Sequence, residues 1–264
     1  MAEESIARPF YTVLVLAFIC STLVAGAAVG LRPRQDANRD LDRKKHILYA
    51  AGLFREGKNI EEMFGPIETK IIELATGKFV PEDTLRPESF KQLKSALSDD
   101  TGRPLTNEED RARLRRLEKY SLVYLVKDGD TIGQLVLPVR GKGLWSTMYA
   151  YVAIDGDLAT IRGVSFYEHG ETPGLGGEIE NKQWQGGWRG KKVYDDKGAI
   201  GLKFVKGKAA TEAPAKDYRI DGLSGATLTT KGVDNLMEFW FGDHGFKPFF
   251  TKLQKMQKKD VNNG

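Results

Sequence analysis

Three glycine-rich segments hold the residues best suited to chemistry. The segment Asp221-Gly222-Leu223-Ser224-Gly225-Ala226-Thr227 places two hydroxyls on a small, flexible backbone just before a helical pattern. Gly225 permits a positive φ or a close main-chain approach, and Ala226 keeps the surroundings open. Ser224, Thr227 and the backbone N–H groups of a helix start can surround a phosphate, whose charge the helix dipole favours. The same residues also fit an ordinary helix entry with Thr227 or Thr229 as the N-cap. Thr230 adds another hydroxyl nearby, so residue types alone leave the choice among them open.

The other two segments suit a flat ligand. In Glu171-Thr172-Pro173-Gly174-Leu175-Gly176-Gly177-Glu178, glycines would let main chain lie against a ring. Leu175 could pack on that ring, and Glu171 and Thr172 offer hydrogen bonds to its edge. The glycine spacing is not the dinucleotide fingerprint, and no parallel βαβ unit surrounds it. In Gly141-Lys142-Gly143-Leu144-Trp145-Ser146, an aromatic side chain follows a flexible turn. Each segment taken singly also reads as a tight turn, with Trp145 a core aromatic and Lys206 a solvated surface charge.

Composition narrows the chemistry. One cysteine, Cys20, excludes an internal disulfide and any multi-thiolate cluster within these 264 residues. His46, His169 and His244 are scattered, so the chain offers no metal-ligand spacing and no metal site is expected. A net charge of +4 without a basic, aromatic-interleaved stripe makes no case for nucleic acid, and the basic stretches Arg111–Lys119 and Lys252–Lys259 read as solvated helix faces. Redox chemistry here requires an organic cofactor.

The elements that would position the three loops are mostly strands. Tyr120–Lys127, Thr131–Val139, Met148–Ile154 and Ala159–Glu168 are rich in branched and aromatic residues, with Asp128-Gly129-Asp130 and Asp155-Gly156-Asp157 as turns. Val193–Tyr194 and Leu202–Val205 fit edge strands. Glu62–Ala75 fits either a short strand or a helix. A helix is expected from about Thr230 to Phe241, since Val233, Leu236, Met237 and Trp240 share one face and Gly242 stops it. The charge-rich stretch 78–120 reads as a surface insertion with two short helices, the second entered through a Thr106–Glu109 capping box. The fold class is therefore α+β: a twisted antiparallel sheet with packing helices.

A membrane anchor precedes the domain. Phe10–Leu31 carries no charge, and about 20 helical residues span a bilayer core. Small residues at Ala25–Ala28 would also suit a cleaved signal peptide, but the long run and non-basic start favour a retained helix. A helix over Arg39–Ala51 would continue out of the membrane. Arg32, Arg34, Arg39, Arg43, Lys44 and Lys45 follow the span, whereas Arg8 with Glu3 and Glu4 precedes it. By charge alone the large domain would lie in the cytoplasm. The expected organisation is a tail (1–9), a transmembrane helix (10–31), a membrane-proximal linker (32–77), the charged helical insertion (78–120), the ligand-binding domain (121–250) and a basic tail (251–264).

The anchor, Gly-Lys-Gly-Leu-Trp, Glu-Thr-Pro-Gly-Leu-Gly-Gly and Ser-Gly-Ala-Thr occur in the order seen in FMN-binding subunits of bacterial respiratory complexes. Over essentially the whole chain the sequence most resembles the covalent FMN-binding subunit family of the sodium-translocating NADH:quinone reductase. The resemblance implies FMN joined through its phosphate to Thr227. A flavin transferase would form that bond from FAD, the threonine hydroxyl attacking the diphosphate and AMP leaving. Asp221, Ser224, Gly225, Ala226 and Thr227 match the transferase recognition pattern. Trp145, Glu171, Thr172, Leu175, Gly176, Lys206, Ser224 and Gly225 would surround the flavin. No residue need act as general acid or base; the chain would be an electron carrier within a sodium-pumping translocase that delivers electrons to ubiquinone. Implied partners are the other subunits, including a second FMN-bearing membrane subunit, together with the transferase and membrane lipid. The family places the domain on the periplasmic side of the bacterial inner membrane, against the flanking charges. The nearest alternative is the equivalent subunit of the related ferredoxin-linked complex, which is generally shorter. A membrane-tethered binding module without a redox cofactor and a flavin domain serving an extracytoplasmic reductase are more distant alternatives.

Overall fold

The computed structural model describes residues 7–129, 131–209 and 211–262. Glu3, Glu4, Asp130 of the expected turn and the last residues of the expected basic tail lie outside them. The chain divides into two units, residues 1–43 and 44–264.

The first unit is built on helix α1, Ala7–Ala51, whose apolar stretch is long enough to cross a membrane. Phe10, Val13, Leu14, Leu16, Phe18, Leu23 and Val24 are exposed along it, an apolar surface suited to lipid. The hydroxyls of Thr12, Ser21 and Thr22 donate to carbonyls one turn back, at Arg8, Ala17 and Phe18. These polar groups are thus satisfied within the helix, as a hydrocarbon surrounding demands.

The second unit begins with the last turns of α1. Helix α2 (Ile60–Phe64) leads into strands β1 (Ile67–Glu73) and β2 (Lys78–Val80). The expected choice between helix and strand over 62–75 resolves into both. Helix α3 (Gln92–Leu97), β3 (Gly102–Pro104) and β4 (Arg116–Glu118) follow. Four long strands then run β5 (Tyr120–Asp128), β6 (Thr131–Lys142), β7 (Thr147–Asp155) and β8 (Ile161–Glu168). After them come α4 (Lys182–Gly186), β9 (Lys203–Val205), β10 (Arg219–Asp221), α5 (Thr227–Trp240) and α6 (Lys247–Asn262). The main sheet is antiparallel in the order β2-β1-β5-β6-β7-β8, which bears out the expected α+β class.

Alternation along the strands gives the sheet two buried faces. Leu135, Leu137 and Val139 of β6, with Met148, Ala150 and Val152 of β7, face a core built from Val233, Leu236 and Trp240 of α5 and Phe249, Phe250 and Leu253 of α6. Val136, Tyr124, Tyr151 and Ala153 point the other way, where Ile47, Leu48, Ala50 and Ala51 at the end of α1 cover them. Both faces are packed, so strand register is specified twice.

Three local expectations are corrected or sharpened. Stretch 78–120 contains one helix and short strands; its Ala112 and Leu117 join the main core. Buried Glu118 anchors it, accepting two hydrogen bonds of 2.6 Å from Arg140 on β6 and one of 2.7 Å from Gln92 on α3. Of the two expected edge strands, Val193–Tyr194 reduces to an isolated bridge from Tyr194 to Ile200, whereas Leu202–Val205 is found as β9, paired in parallel with β10. The basic stretch Lys252–Lys259, expected as a solvated helix face, lies in α6, and the tail is sharpened into a packed helix because Phe249, Phe250 and Leu253 recur on one buried face.

Candidate functional site

Helix α5 positions the segment Asp221–Thr227. It runs from Thr227 to Trp240 with nine buried residues, three residues longer at its start than apolar spacing indicates. Its N-cap position is Ala226, and no side chain caps it. Neither Thr227 nor Thr229 is therefore a cap, and the helix start keeps unfilled donors of the kind that bind anions. Gly225 takes φ +72°, a conformation other residues adopt at a cost, and turns the chain into the helix.

The three hydroxyls of this turn differ sharply. Thr227 is exposed, whereas Thr229 and Thr230 are buried. Thr229 donates its hydroxyl to Glu171 at 2.6 Å, and Thr230 Oγ1 accepts the Leu223 N–H at 3.1 Å. Two of them hold the loop; the third faces out.

Thr227 lines a cleft of about 940 Å³ together with Lys206, Asp221, Ser224 and Gly225, a size common for cofactor sites. Lys191, Lys206, Lys208 and Arg219 outnumber Glu178 and Asp221 among its charged lining residues. That balance suits a phosphate. Asp221 braces the cleft wall: its carboxylate accepts the Ala209 N–H at 2.8 Å and pairs with Lys208 at 3.0 Å. The backbone hydrogen bond from Ala209, aided by Lys208, holds its carboxyl below the usual aspartate range despite partial burial.

Glycine positions and exposure both flag this neighbourhood, but Trp184 gives no such signal in the sequence. It lines the cleft from α4 and donates its indole N–H to the Asp221 carbonyl at 2.8 Å.

The remaining candidates gather around Glu171 rather than in the cleft. Glu171 is buried, and its carboxylate accepts N–H groups from Leu144 (3.1 Å), Trp145 (2.9 Å) and Ser146 (3.1 Å), in addition to the Thr229 hydroxyl. Burial would raise its pKa, but the Thr229 hydroxyl and the three amides outweigh burial and hold it below the ordinary glutamate range. A Cβ at Gly143 would stand 2.6 Å from Glu171 Oε1, and one at Gly176 only 2.5 Å from Thr229 Oγ1. These two glycines make room for the carboxylate and its partner.

Above this bound carboxylate the surface is apolar. Trp145 is 66% exposed, Leu228 62%, Leu175 45% and Leu144 44%, high values for side chains of this size. Leu175 reaches Gly225: its Cδ2 lies 2.9 Å from where a Cβ on that glycine would stand. Thr172 is exposed, with its carbonyl accepting the N–H groups of Leu175 and Gly177. The three loops thus meet at one end of the sheet. An anion-suited cleft lies at the helix start, with exposed apolar side chains on the adjoining loops, a combination that fits a phosphate-bearing ring system.

Comparisons agree with this geometry. The FMN-binding domain family matches residues 143–242, a span that holds the second and third loops whole and the first from Gly143 onward. The chain is 43% identical over 255 residues to the NqrC protein of Vibrio parahaemolyticus, the C subunit of its Na(+)-translocating NADH-quinone reductase, covering 96% of this chain and 97% of that one. It is likewise 43% identical over 257 residues to the same subunit of Pseudomonas aeruginosa, covering 96% and 98%. The crystal structure of Shewanella oneidensis NqrC superposes with a TM-score of 0.74 at 34% identity, over 83% of this chain and 99% of that one. The corresponding crystal structure from Parabacteroides distasonis superposes with a TM-score of 0.64 at 25% identity, over 84% and 97%. Near-complete coverage in both directions shows that this chain belongs to the NqrC family, the C subunits of the Na(+)-translocating NADH-quinone reductase.

Proposed function

We propose that this chain is the FMN-carrying subunit of a membrane-bound, sodium-translocating NADH:quinone reductase, with FMN esterified to Thr227, and that it relays electrons between partner subunits. The observation that carries the reading is the contrast among hydroxyls: Thr227 is exposed at an uncapped helix start, whereas Thr229 and Thr230 are buried and hydrogen-bonded. Bound FMN supplies the redox chemistry that side chains lack.

The chain's own residues would hold and shield it. The α5 amides and Lys206 offset phosphate charge, and Ser224 and Gly225 keep the approach to Thr227 open. Trp145 and Leu175 would cover the ring, with Thr172 and Gly176 on the same loop wall. Covalent attachment through phosphate would prevent loss of the flavin while leaving the ring free of protein bonds. Asp221, Ser224, Gly225 and Ala226 would present Thr227 to a flavin transferase during maturation. Helix α1 would anchor the domain on the periplasmic side of the inner membrane, beside a second FMN-bearing membrane subunit.

The test is direct. The full chain is co-expressed with its transferase, denatured on a gel and viewed under ultraviolet light. A fluorescent band from wild type is expected; a dark band would overturn covalent attachment. For sidedness, a cysteine introduced on the exposed domain surface should react with an impermeant reagent on intact cells; protection until lysis would place the domain inside.

A further inference from the structure

We infer that Glu171 is a positioning residue: its buried carboxylate bolts the Leu144–Ser146 turn to the start of α5 and so fixes Trp145 relative to Thr227, without itself bonding the flavin. This rests on the reading of Trp145 as a wall of the flavin site.

The geometry carries it. Both carboxylate oxygens are engaged, Oε1 by the N–H groups of Trp145 and Ser146 and Oε2 by the N–H of Leu144 and the hydroxyl of Thr229. Those donors come from two segments of chain, 25 to 27 residues before Glu171 and 58 after it. Four donors converging on one carboxylate make charge-assisted bonds that are directional where packing is not, so they fix orientation as well as position. Gly143 and Gly176 leave no room for a Cβ beside this cluster, which ties two of the loop glycines to the carboxylate rather than to a ring. Ser146 closes the turn, its carbonyl accepting the Gly143 N–H at 2.8 Å, while Lys142 Nζ donates to the Trp145 carbonyl at 2.8 Å. Trp145 is therefore held by hydrogen bonds through its main chain, while its side chain is largely exposed. A side chain so exposed has little packing to set its place, so the carboxylate that fixes its backbone sets where the indole is carried.

The same oxygens leave little capacity for another donor. A carboxylate offers about four lone-pair sites, and four are taken. A ring N–H seeking Glu171 would have to displace an existing partner.

Two arms test the inference, the first in flavin-loaded full-length protein with fluorescence read at matched flavin content. Thr229→Val removes one donor without altering charge and should raise flavin fluorescence toward the Trp145→Ala value, as the indole ceases to quench the ring. Thr229→Ser should restore the wild-type level. In a Trp145→Ala background, Thr229→Val should add nothing further. A full additional effect in that background, or no effect of Thr229→Val on the intact site, would overturn the inference. The second arm uses flavin-free protein, with hydrogen exchange read at Leu144, Trp145 and Ser146. Glu171→Gln should speed exchange there about tenfold or more, the scale of a lost charge-assisted hydrogen bond. Unchanged exchange would also overturn it. Because this arm needs no flavin, a dark wild-type gel would defeat the proposed function while leaving the clasp to stand or fall separately.

Discussion

Two helix entries in this chain reverse the usual relation between cap and helix. At Thr106 the capping box is complete: the Thr106 N–H donates to Glu109 at 3.0 Å and the Glu109 N–H returns a bond to Thr106 Oγ1 at 3.3 Å. No helix follows. Asp110 takes the N–H groups of Leu114 and Arg115, and Arg113 and Arg115 adopt positive φ. At Ala226 no side chain caps the start, yet a 14-residue helix runs from it. The difference is tertiary. Stretch 106–115 buries Ala112 alone among its residues, whereas α5 lays Val233, Leu236, Met237 and Trp240 against the sheet. Packing makes the helix and the cap only trims its end. A well-packed helix left uncapped keeps its first amides for another use, and in the proposed function that use is the flavin phosphate.

This comparison can be broken at several points, the most sensitive being Thr227. Thr227→Ala should abolish covalent flavin outright, because Thr229 and Thr230 are buried and committed to hydrogen bonds. In-gel fluorescence checks it, and a bright band from the variant would remove the distinction among the three hydroxyls. Next is the packing that sustains α5. Trp240 is fully buried, stacked on Phe246 at 5.3 Å, and its indole donates to the Arg140 carbonyl at 2.7 Å. Trp240→Ala should cost about 3–5 kcal/mol in urea unfolding. A cost near that of a surface substitution would mean that packing is not what holds α5.

Acid gives a smaller, graded effect. Glu171 and Asp221 both have folded pKa values below their unfolded ones, so their contribution is complete above the ordinary carboxyl range. It is lost as pH falls through the depressed folded values. Stability measured below the ordinary carboxyl range should therefore decline with falling pH, and Glu171→Gln should shallow that decline; an unchanged slope would deny the carboxylate its role. Smallest is Thr106→Ala. With no helix to cap, its cost should sit at or below the low end for N-caps, about 0.5 kcal/mol, with flavin loading unaffected. A loss nearer to about 2 kcal/mol would show that the box matters without a helix.

Much of the fold is legible in the sequence, and the exceptions have physical causes. Strands β5 to β8 read clearly because residues alternate between two packed faces and turns punctuate them. Helix α6 is legible only by its solvated side: Lys252 and Lys255 read as a basic helix face, while the packing by Phe249, Phe250 and Leu253 is not apparent. Capping chemistry at Thr106 is read correctly as bonding and wrongly as a helix, since the missing ingredient is a buried face. In the candidate site, the Asp221–Thr227 loop and its neighbours announce themselves through glycines. What those glycines accommodate is not announced: no local pattern links Glu171 to amides 25 to 27 residues away and a hydroxyl 58 away. Trp184 escapes for the same reason, since its indole is tied to the third loop through the Asp221 carbonyl, 37 residues along the chain.

Peptide mapping by mass spectrometry of the flavin-loaded full chain tests the central claim most directly. The flavin phosphate should be found on a single residue, Thr227, with Thr229 and Thr230 unmodified. Attachment at either buried threonine, or flavin that washes out on denaturation, would contradict it.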